Sequence, residues 1–185
     1  MPGRRAAVRR QAAWAAVLPF LLCPAATWAQ DGSLELAIKA TYLVKFAAFV
    51  EWPANMFETP SSPLTICLVG TPFSGVADQA AAGQAAGQHP LAVRHVAAAT
   101  HGSGCHILFS AGAPGQSIAE ALDAVRGEPV LTVTDLPAAT PRKGIIDFVL
   151  QSGHVRFEID DRAAAQEGLR ISSQLLALAI NVTPR

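Results

Sequence analysis

The sequence predicts an α/β fold: one domain with a mostly parallel central sheet of about six strands, flanked by helices. Short apolar runs alternate with segments of helical periodicity, as expected for repeated strand–helix units. Several runs are almost wholly apolar, which is typical of parallel strands covered on both faces. With 51% apolar and 15% charged residues over 185 positions, the composition excludes a disordered chain and suffices for one hydrophobic core.

Six short apolar runs are predicted as strands. They are residues 64–69, 91–96, 105–109, 130–134, 145–150 and 154–159. Gln151, Ser152 and Gly153 separate the last two runs and predict a tight hairpin. The sixth strand should therefore be antiparallel and lie at an edge of the sheet. Right-handed crossovers then predict the strand order 2-1-3-4-5, a Rossmann- or flavodoxin-like topology, with strand six beside strand five.

Helices are predicted between the strands and at both ends of the domain. The three clearest segments are residues 34–51, 75–86 and 116–126. Asp160 and Asp161 are expected to begin a further helix, since carboxylates suit the positive end of a helix dipole. The C-terminal segment is predicted as a helix from about Ser172, with Ser172 or Ser173 as its N-cap. The passage from Pro137 to Pro141 is predicted as a loop within the domain.

Residues 1–29 are predicted to be a signal peptide, which leaves a single domain over residues 30–185. Four arginines in the first ten residues precede an apolar run over residues 12–23, and small residues lead to a cleavage site after Ala29. The apolar run is shorter than the roughly 20 residues of a membrane helix. Lipidation at Cys23 is the less favoured alternative, because Leu22 replaces the small residue expected before a lipidated cysteine. The sequence therefore predicts a periplasmic protein.

Charge and motifs argue against several classes of function. Without residues 1–29 the chain has 10 basic and 14 acidic side chains, a formal charge of −4, whereas nucleic-acid binding needs a basic patch. The nucleotide-binding, zinc-hydrolase and serine-elbow motifs do not occur. The five histidines lack ligand spacing. Cys105 and His106 should point to opposite faces of a strand and so cannot form a thiolate–base pair. No catalytic residue, metal or cofactor is predicted, and the protein is not expected to be an enzyme.

Cys67 and Cys105 remain after the predicted cleavage. In an oxidising compartment an even pair of cysteines is interpreted first as a disulfide. Two buried thiols and one reactive nucleophile are the open alternatives. If the third strand lies beside the first, the two cysteines come from neighbouring strands and can link the centre of the sheet.

The first helix carries an unusually wide apolar arc. One stripe of side chains comprises Ile38, Tyr42, Phe46 and Phe49, and the adjacent stripe comprises Leu36, Leu43, Ala47 and Val50. Together they cover about half of the helix circumference, more than the roughly 100° that a surface helix needs. Pro53 ends the helix. Either all these residues are core, or the second stripe and Trp52 contact another chain. Because half a circumference is too much for one sheet, a homodimer is predicted.

Several segments in a fixed order resemble a known family. They are AIKATYLVKFAAFVEWP, PLTICLVG, GCHILF, PVLTVTD, GIIDFVLQSGHVRFEID and GLRISSQLLALA. Over residues 36 to 182 this order and spacing are similar to the YfiR family of periplasmic repressor proteins. The resemblance implies a small α/β protein, usually dimeric, that binds the periplasmic part of a membrane-bound diguanylate cyclase and holds it inactive. By the same resemblance Cys67 and Cys105 match family cysteines, whereas a second pair found in some relatives is absent.

Two hypotheses of different class follow. The first is a repressor that acts in cyclic-di-GMP signalling by binding a membrane partner. The second is a sensor module for a small periplasmic ligand that serves another membrane receptor or kinase. An α/β sheet offers a crevice at the carboxyl ends of its strands. Here the loops Gly70–Pro72, Ser110–Gly115 and Asp135–Pro137 would line it.

Two sets of candidate site residues are predicted. The partner-binding set lies on the sixth strand and the segment after it, and comprises Arg156, Phe157, Glu158, Arg170, Ile171 and Ser172. The set assigned to dimer contacts or signal input comprises Tyr42, Phe46, Phe49, Glu51 and Trp52. An edge strand would give a partner unpaired backbone groups, with Arg156 and Glu158 on one face and Phe157 on the other. The alternative is that Phe157 fills the core and the two charges are solvated.

Overall fold

The structure is a computed structural model that describes residues 28–70, 73, 75–135 and 142–185. Most of the predicted signal peptide and the predicted loop from Pro137 to Pro141 lie outside the described residues. The elements, in chain order, are α1 (Trp28–Phe46), β1 (Val50–Glu51), β2 (Leu64–Val69), α2 (Val76–Ala81), β3 (Ala85–Ala86), β4 (His89–Val96), β5 (Ile107–Ser110), α3 (Ile118–Ala124), β6 (Leu131–Asp135), β7 (Ile146–Gln151), β8 (His154–Asp160), α4 (Asp161–Gln166), β9 (Arg170–Ile171), α5 (Ser173–Leu176) and β10 (Asn181–Thr183). Short 3₁₀ turns occupy Ala47–Phe49 and Ala54–Met56.

Within the described residues, eight strands form one mixed sheet in the order β10-β8-β7-β6-β5-β2-β4-β3. Five neighbouring strands of this sheet, β4, β2, β5, β6 and β7, run parallel to one another. β8 runs antiparallel to β7. The predicted α/β fold, the order of the six predicted strands and the hairpin are therefore confirmed. The hairpin turn places Ser152 at φ 51° and Gly153 at φ 75°, the left-handed backbone that a two-residue turn requires.

The predicted edge position of β8 is wrong. β10 pairs in parallel with β8, with Asn181 beside Glu158 and Thr183 beside Asp160. The predicted C-terminal helix is correspondingly short, because α5 ends at Leu176 and the chain then turns back to the sheet. There the Ile180 N–H donates to the Phe157 carbonyl oxygen over 3.0 Å. The predicted cap is confirmed, since the Ser172 hydroxyl accepts the Leu175 N–H over 3.3 Å.

α1 packs on one face of the sheet through aromatic rings. Tyr42 and Phe46 meet Phe157 edge-on, with ring centroids 5.5 and 5.2 Å apart, and Phe46 also stacks near Phe148 at 6.0 Å. Of the two alternatives for the second apolar stripe, the structure supports a place in the core for Leu43, Ala47 and Val50, which are buried. The sheet covers one side of α1 and α2 packs beside it, so Phe46 of the first stripe also enters the core, whereas Leu36, Ile38, Tyr42 and Phe49 are partly buried against it.

A second core lies on the opposite face of the sheet, beneath α3. Cys67 and Cys105 form a disulfide there, with their Cα atoms 5.7 Å apart, so the predicted pairing is confirmed. Its apolar surroundings include Val69, Leu108 and Val125. A guanidinium nitrogen of Arg94 donates to both sulfur atoms, over 3.2 and 3.3 Å. The bridge therefore joins β2 to the residues just before the neighbouring strand β5, and both cysteines are buried.

Replacing both cysteines with alanine should lower the free energy of unfolding without removing the fold. The bridge closes a loop with a sequence separation of 38 residues, for which chain entropy gives at most roughly 4 kcal/mol. Urea denaturation of the Cys67→Ala/Cys105→Ala protein beside the wild type measures the loss. Wild-type protein from the periplasm should not react with iodoacetamide until a reductant is added. An unchanged urea midpoint, or two reactive thiols without reductant, would contradict the structural role.

Candidate partner-binding surface

The predicted partner-binding residues of β8 lie on both faces of the sheet. Phe157 is only 3% exposed and packs against Tyr42 and Phe46, so it supports the surface from inside and cannot contact a partner directly. Arg156 is exposed and Glu158 half-buried on the other face. The alternation of apolar and polar residues in β8 causes this separation.

Glu158 belongs to a small charged group on the face that α3 shares. Its carboxylate lies 2.6 Å from the Lys143 ammonium, and this hydrogen bond raises the pKa of Lys143. Asp147 lies directly opposite Glu158 in the β7–β8 pairing, where two carboxylates repel each other. Asp147 accepts the Gly144 N–H over 2.9 Å, and its burial raises its pKa. Lys143 therefore compensates the negative charge that the paired strands bring together.

Arg170, Ile171 and Ser172 lie elsewhere, at the end of α1. β9 pairs antiparallel with β1, which places Val50 beside Ile171 and Glu51 beside Arg170. The Ser172 N–H extends this ladder by donating to the Phe49 carbonyl oxygen over 2.9 Å. Glu51, from the set predicted for dimer contacts or signal input, therefore lies beside Arg170, from the partner-binding set. The two residues are more than a hundred positions apart in the sequence.

An open cleft of about 460 Å³ lies over this ladder. Its lining includes the predicted residues Glu51, Arg170, Ile171 and Ser172, together with Asp161, Ser173, Leu176 and Arg185. We call it the C-terminal cleft. Ile171 is 7% exposed and the Ser172 hydroxyl caps α5, whereas Glu51 and Arg170 are exposed. The exposed charged side chains at this cleft are those of Glu51, Arg170 and Arg185, and Arg185 is paired with Asp161.

Asp161 and Arg185 are cleft residues that the sequence analysis missed. Two nitrogens of the Arg185 guanidinium donate to the Asp161 carboxylate over 2.9 and 3.1 Å. Asp161 is buried, so this bidentate pair ties the start of α4 to the chain beyond β10. The sequence analysis predicted Asp161 only as the start of a helix. Its pairing with Arg185 becomes apparent only when the structure shows that β10 joins the sheet.

A second, aromatic cleft of about 270 Å³ adjoins the first. Trp52, Phe57 and His89 line it, and Glu51 lines both clefts. The indole N–H of Trp52 donates to the His106 carbonyl oxygen over 3.1 Å. The Phe57 ring lies between two imidazoles, with centroid distances of 3.7 Å to His89 and 4.6 Å to His106. Of the set predicted for dimer contacts or signal input, Glu51 and Trp52 therefore line a cleft, whereas Phe46 is core and Phe49 is half-buried.

His106 is buried beneath Phe57 and is 5% exposed. Its Nδ1 accepts the Thr65 N–H over 3.1 Å, so the proton of the neutral ring belongs on Nε2. Burial lowers the pKa of His106, because it disfavours the charged ring. As predicted, Cys105 and His106 face opposite ways, one into the disulfide core and the other into the aromatic stack.

The predicted ligand crevice at the carboxyl ends of the strands is only partly within the described residues. Gly70 has φ 51°, and a Cβ built on it would lie 2.1 Å from the Gly112 carbonyl oxygen. The loops after β2 and β5 therefore touch each other there. Beside them Lys39, which is 4% exposed, bonds Asp135 over 2.6 Å and also bonds Glu35. Positions 71, 72, 136 and 137 of the predicted crevice lie outside the described residues.

Among the described residues, no group of three or more His, Cys, Asp or Glu side chains is placed to hold a metal ion. In the same part of the chain, none of the helices combines the length and apolarity that spanning a membrane requires.

A family model described as YfiR/HmsC-like matches residues 36–180. The chain belongs to the YfiR/HmsC-like family. This confirms the resemblance found in the sequence, and the match includes every candidate site residue on β8, β9 and α1. The YfiR/HmsC-like family is periplasmic, regulatory rather than catalytic, and associated with diguanylate cyclase signalling. Comparison with individual curated proteins gives no match.

His106 should make the fold sensitive to mild acid. Its pKa in the folded protein lies below the usual 6.5, so the unfolded chain binds the proton more readily and stability falls as the pH drops below about 6.5. In His106→Asn the amide oxygen can still accept the Thr65 N–H, but this proton-linked loss disappears. Urea denaturation of both proteins at about pH 7.5 and about pH 5 should show the larger loss for the wild type. Equal losses would show that His106 does not cause the sensitivity.

Proposed function

We propose that this protein is a periplasmic repressor that binds the periplasmic part of a membrane-bound diguanylate cyclase and keeps the cyclase inactive. The observation that carries the proposal is the pairing of Glu51 with Arg170 over the open C-terminal cleft. Two exposed, opposite charges on a hydrogen-bonded ladder form a preorganised polar surface, which favours specific recognition of another protein. Membership of a regulatory family supports the same conclusion.

The proposed location is the periplasm, reached through a signal peptide that is cleaved after Ala29. The basic, apolar and small-residue order of residues 1–29 supports export. The Cys67–Cys105 disulfide fits an oxidising compartment. A repressor in this compartment meets the periplasmic domain of a cyclase whose catalytic domain lies across the membrane.

Repression follows from selective binding to one state of the partner. A repressor that binds the inactive arrangement of the cyclase more tightly than the active one shifts the population toward inactivity. The binding surface must therefore be rigid. Here the β1–β9 ladder, the Arg185–Asp161 pair and the Lys143–Glu158 pair hold the proposed contacts in place without help from a partner.

The aromatic cleft supports the second hypothesis as an addition to the first. Trp52, Phe57 and His89 offer flat apolar surfaces to a small planar molecule, and Glu51 lies at the boundary with the C-terminal cleft. A molecule bound beside Trp52 would displace or neutralise Glu51 and so weaken the binding of the partner. In this way a small-ligand sensor and a repressor coexist in one domain.

Glu158→Lys should remove partner binding while the protein still folds and is exported. The substitution reverses the charge of the predicted partner-binding carboxylate on β8, which does not line the C-terminal cleft, and also breaks the 2.6 Å pair with Lys143. We expect at least tenfold weaker co-purification with the periplasmic domain of the cyclase, which corresponds to about 1.4 kcal/mol or more. In cells, cyclic-di-GMP should rise because the cyclase is released.

The matched control is the swapped protein Glu158→Lys/Lys143→Glu. It restores the ion pair and the net charge but leaves position 158 cationic. If the partner contacts the carboxylate, the swapped protein also fails to bind. Recovery of binding in the swapped protein would mean that the pair is only structural, and unchanged binding by folded Glu158→Lys would place the interface elsewhere. Circular dichroism verifies the fold of each variant.

A further inference from the structure

β10 forms one end of the eight-stranded sheet, and within the described residues it pairs with β8 alone. The edge position that the sequence analysis assigned to β8 therefore belongs to β10. The Ile180 N–H donates to the Phe157 carbonyl oxygen over 3.0 Å, so the pairing with β8 already starts one residue before β10. We call residues 178–183 the β10 edge.

The outer side of β10 carries a row of backbone donors and acceptors. Successive residues of a strand direct their N–H and C=O groups to opposite sides. Because the Ile180 N–H points to β8, the N–H and C=O groups of Asn181 and Thr183 point away from the sheet. Among the described residues, the hydrogen bonds outside the helices and strands do not include these four groups. They are therefore open to pairing with another backbone.

The β10 edge lacks most of the protection that natural sheet edges carry. Charged side chains, proline and short strands normally keep such edges from pairing with other chains. The opposite end of the sheet follows this rule, since Arg94 and His95 are exposed on β4 and β3 covers the first residues of that strand. Residues 171–184, in contrast, include no charged side chain, and Pro184 comes only after the edge. Apart from its shortness, the β10 edge is unprotected.

We infer that an extended segment of the membrane-bound partner adds to the β10 edge as a further strand of the sheet. The inference rests on the proposed function, because it names the element through which the partner is recognised. A row of outward N–H and C=O groups is complementary to another extended backbone, so the edge itself selects a strand. Strand addition provides affinity through main-chain hydrogen bonds and selectivity through alternate side chains.

The side chains around the β10 edge define the segment that fits. Leu178 and Ile180 are 64% and 42% exposed, so apolar side chains of the added strand would cover them. Asn181 lies directly beside Glu158, on the face of the sheet that also carries Arg156. The added strand therefore has an apolar contact before β10 and a polar contact along one face of it.

Charge favours a different protein over a second copy of this chain. Arg156 is exposed, and none of the ion pairs among the described residues includes it. A strand added beside β10 lies about 10 Å from β8, two strand spacings, a distance that Arg156 and an acidic side chain span together. A carboxylate of the segment would thus compensate the charge of Arg156. A second β10 edge brings no carboxylate, because residues 171–184 are uncharged.

The β10 edge is continuous with both surfaces assigned to the partner. Asn181 is the neighbour of Glu158, whose charge reversal is expected to remove partner binding. Leu176 precedes the edge and Arg185 follows it, and both line the C-terminal cleft. A partner whose strand lies on the β10 edge therefore meets the Glu158 surface on one side and the cleft at the end of the strand.

Asn181→Pro tests the added strand. Proline removes one outward N–H but leaves the N–H groups of Ile180 and Val182 to pair with β8, and an edge strand tolerates proline at such a position. Leu178→Asp is a second variant, which places a charge at the edge without changing the backbone. The matched control is His95→Pro on β4, where the N–H also points outward because the Leu91 N–H donates to the Gln84 carbonyl oxygen. Circular dichroism verifies that each variant folds.

Isothermal titration calorimetry with the purified periplasmic domain of the cyclase gives the affinities. We expect at least tenfold weaker binding for Asn181→Pro and Leu178→Asp, and wild-type affinity for His95→Pro. Asn181→Ala, which keeps the N–H, should bind at least tenfold more tightly than Asn181→Pro. In the wild-type complex, hydrogen–deuterium exchange should slow at residues 178–183.

Wild-type affinity of a folded Asn181→Pro protein would overturn the inference. If Glu158→Lys loses binding in the same assay, the repressor remains and only the added strand is wrong. A light-scattering mass that Asn181→Pro halves in the absence of the cyclase would show that a second copy occupies the edge, and would also overturn the inference. A wild-type protein that does not bind the cyclase domain would contradict the proposed function itself.

Discussion

Four aromatic rings join α1 to the β7–β8 hairpin, with centroids of neighbouring rings between 5.2 and 6.3 Å apart. They belong to Tyr42, Phe46, Phe148 and Phe157. Such contacts combine a large buried apolar area with a defined mutual orientation. They fix how α1 lies on the sheet, and so fix where its C-terminal end emerges. Because Val50 and Glu51 follow directly, the position of the β1–β9 ladder depends on this packing.

The same packing separates the proposed partner-binding surfaces from the core. With Phe46 and Phe157 turned inward, the proposed recognition depends on polar side chains: Glu51 and Arg170 beside the C-terminal cleft, and Arg156 and Glu158 on the other face of β8. The disulfide stabilises the opposite half of the sheet and touches neither proposed surface. The proposed recognition residues therefore differ from the residues of the two cores, and variants at the proposed surfaces are expected to fold.

The central sheet could be predicted because its signals are local. Wholly apolar runs identify buried parallel strands, Ser152 and Gly153 identify the hairpin, and Ser172 identifies a helix cap. The alternation of apolar and polar residues in β8 also indicated that Phe157 points into the core, which was the alternative interpretation of that strand. β10 could not be predicted, because three residues, Asn181–Thr183, have no strand signal apart from the pairing itself.

Individual residues of the candidate site could be predicted from the sequence, but their arrangement in space could not. Glu51 and Arg170 were both singled out, but for different roles, since their contact depends on a ladder of two residues per strand. The apolar arc of α1 was recognised, but the sequence left open whether its second stripe is core or contacts another chain, and α2 beside the helix places Leu43, Ala47 and Val50 in the core.

The central claim is that binding of this protein inactivates a membrane-bound cyclase. The most direct measurement adds the purified protein to the periplasmic side of reconstituted membranes that contain the full-length cyclase, and follows cyclic-di-GMP synthesis on the other side. The account predicts that synthesis falls as the protein is added and reaches a plateau when the cyclase is saturated. Saturable binding with unchanged synthesis would contradict repression, and the absence of binding would contradict the proposed partner.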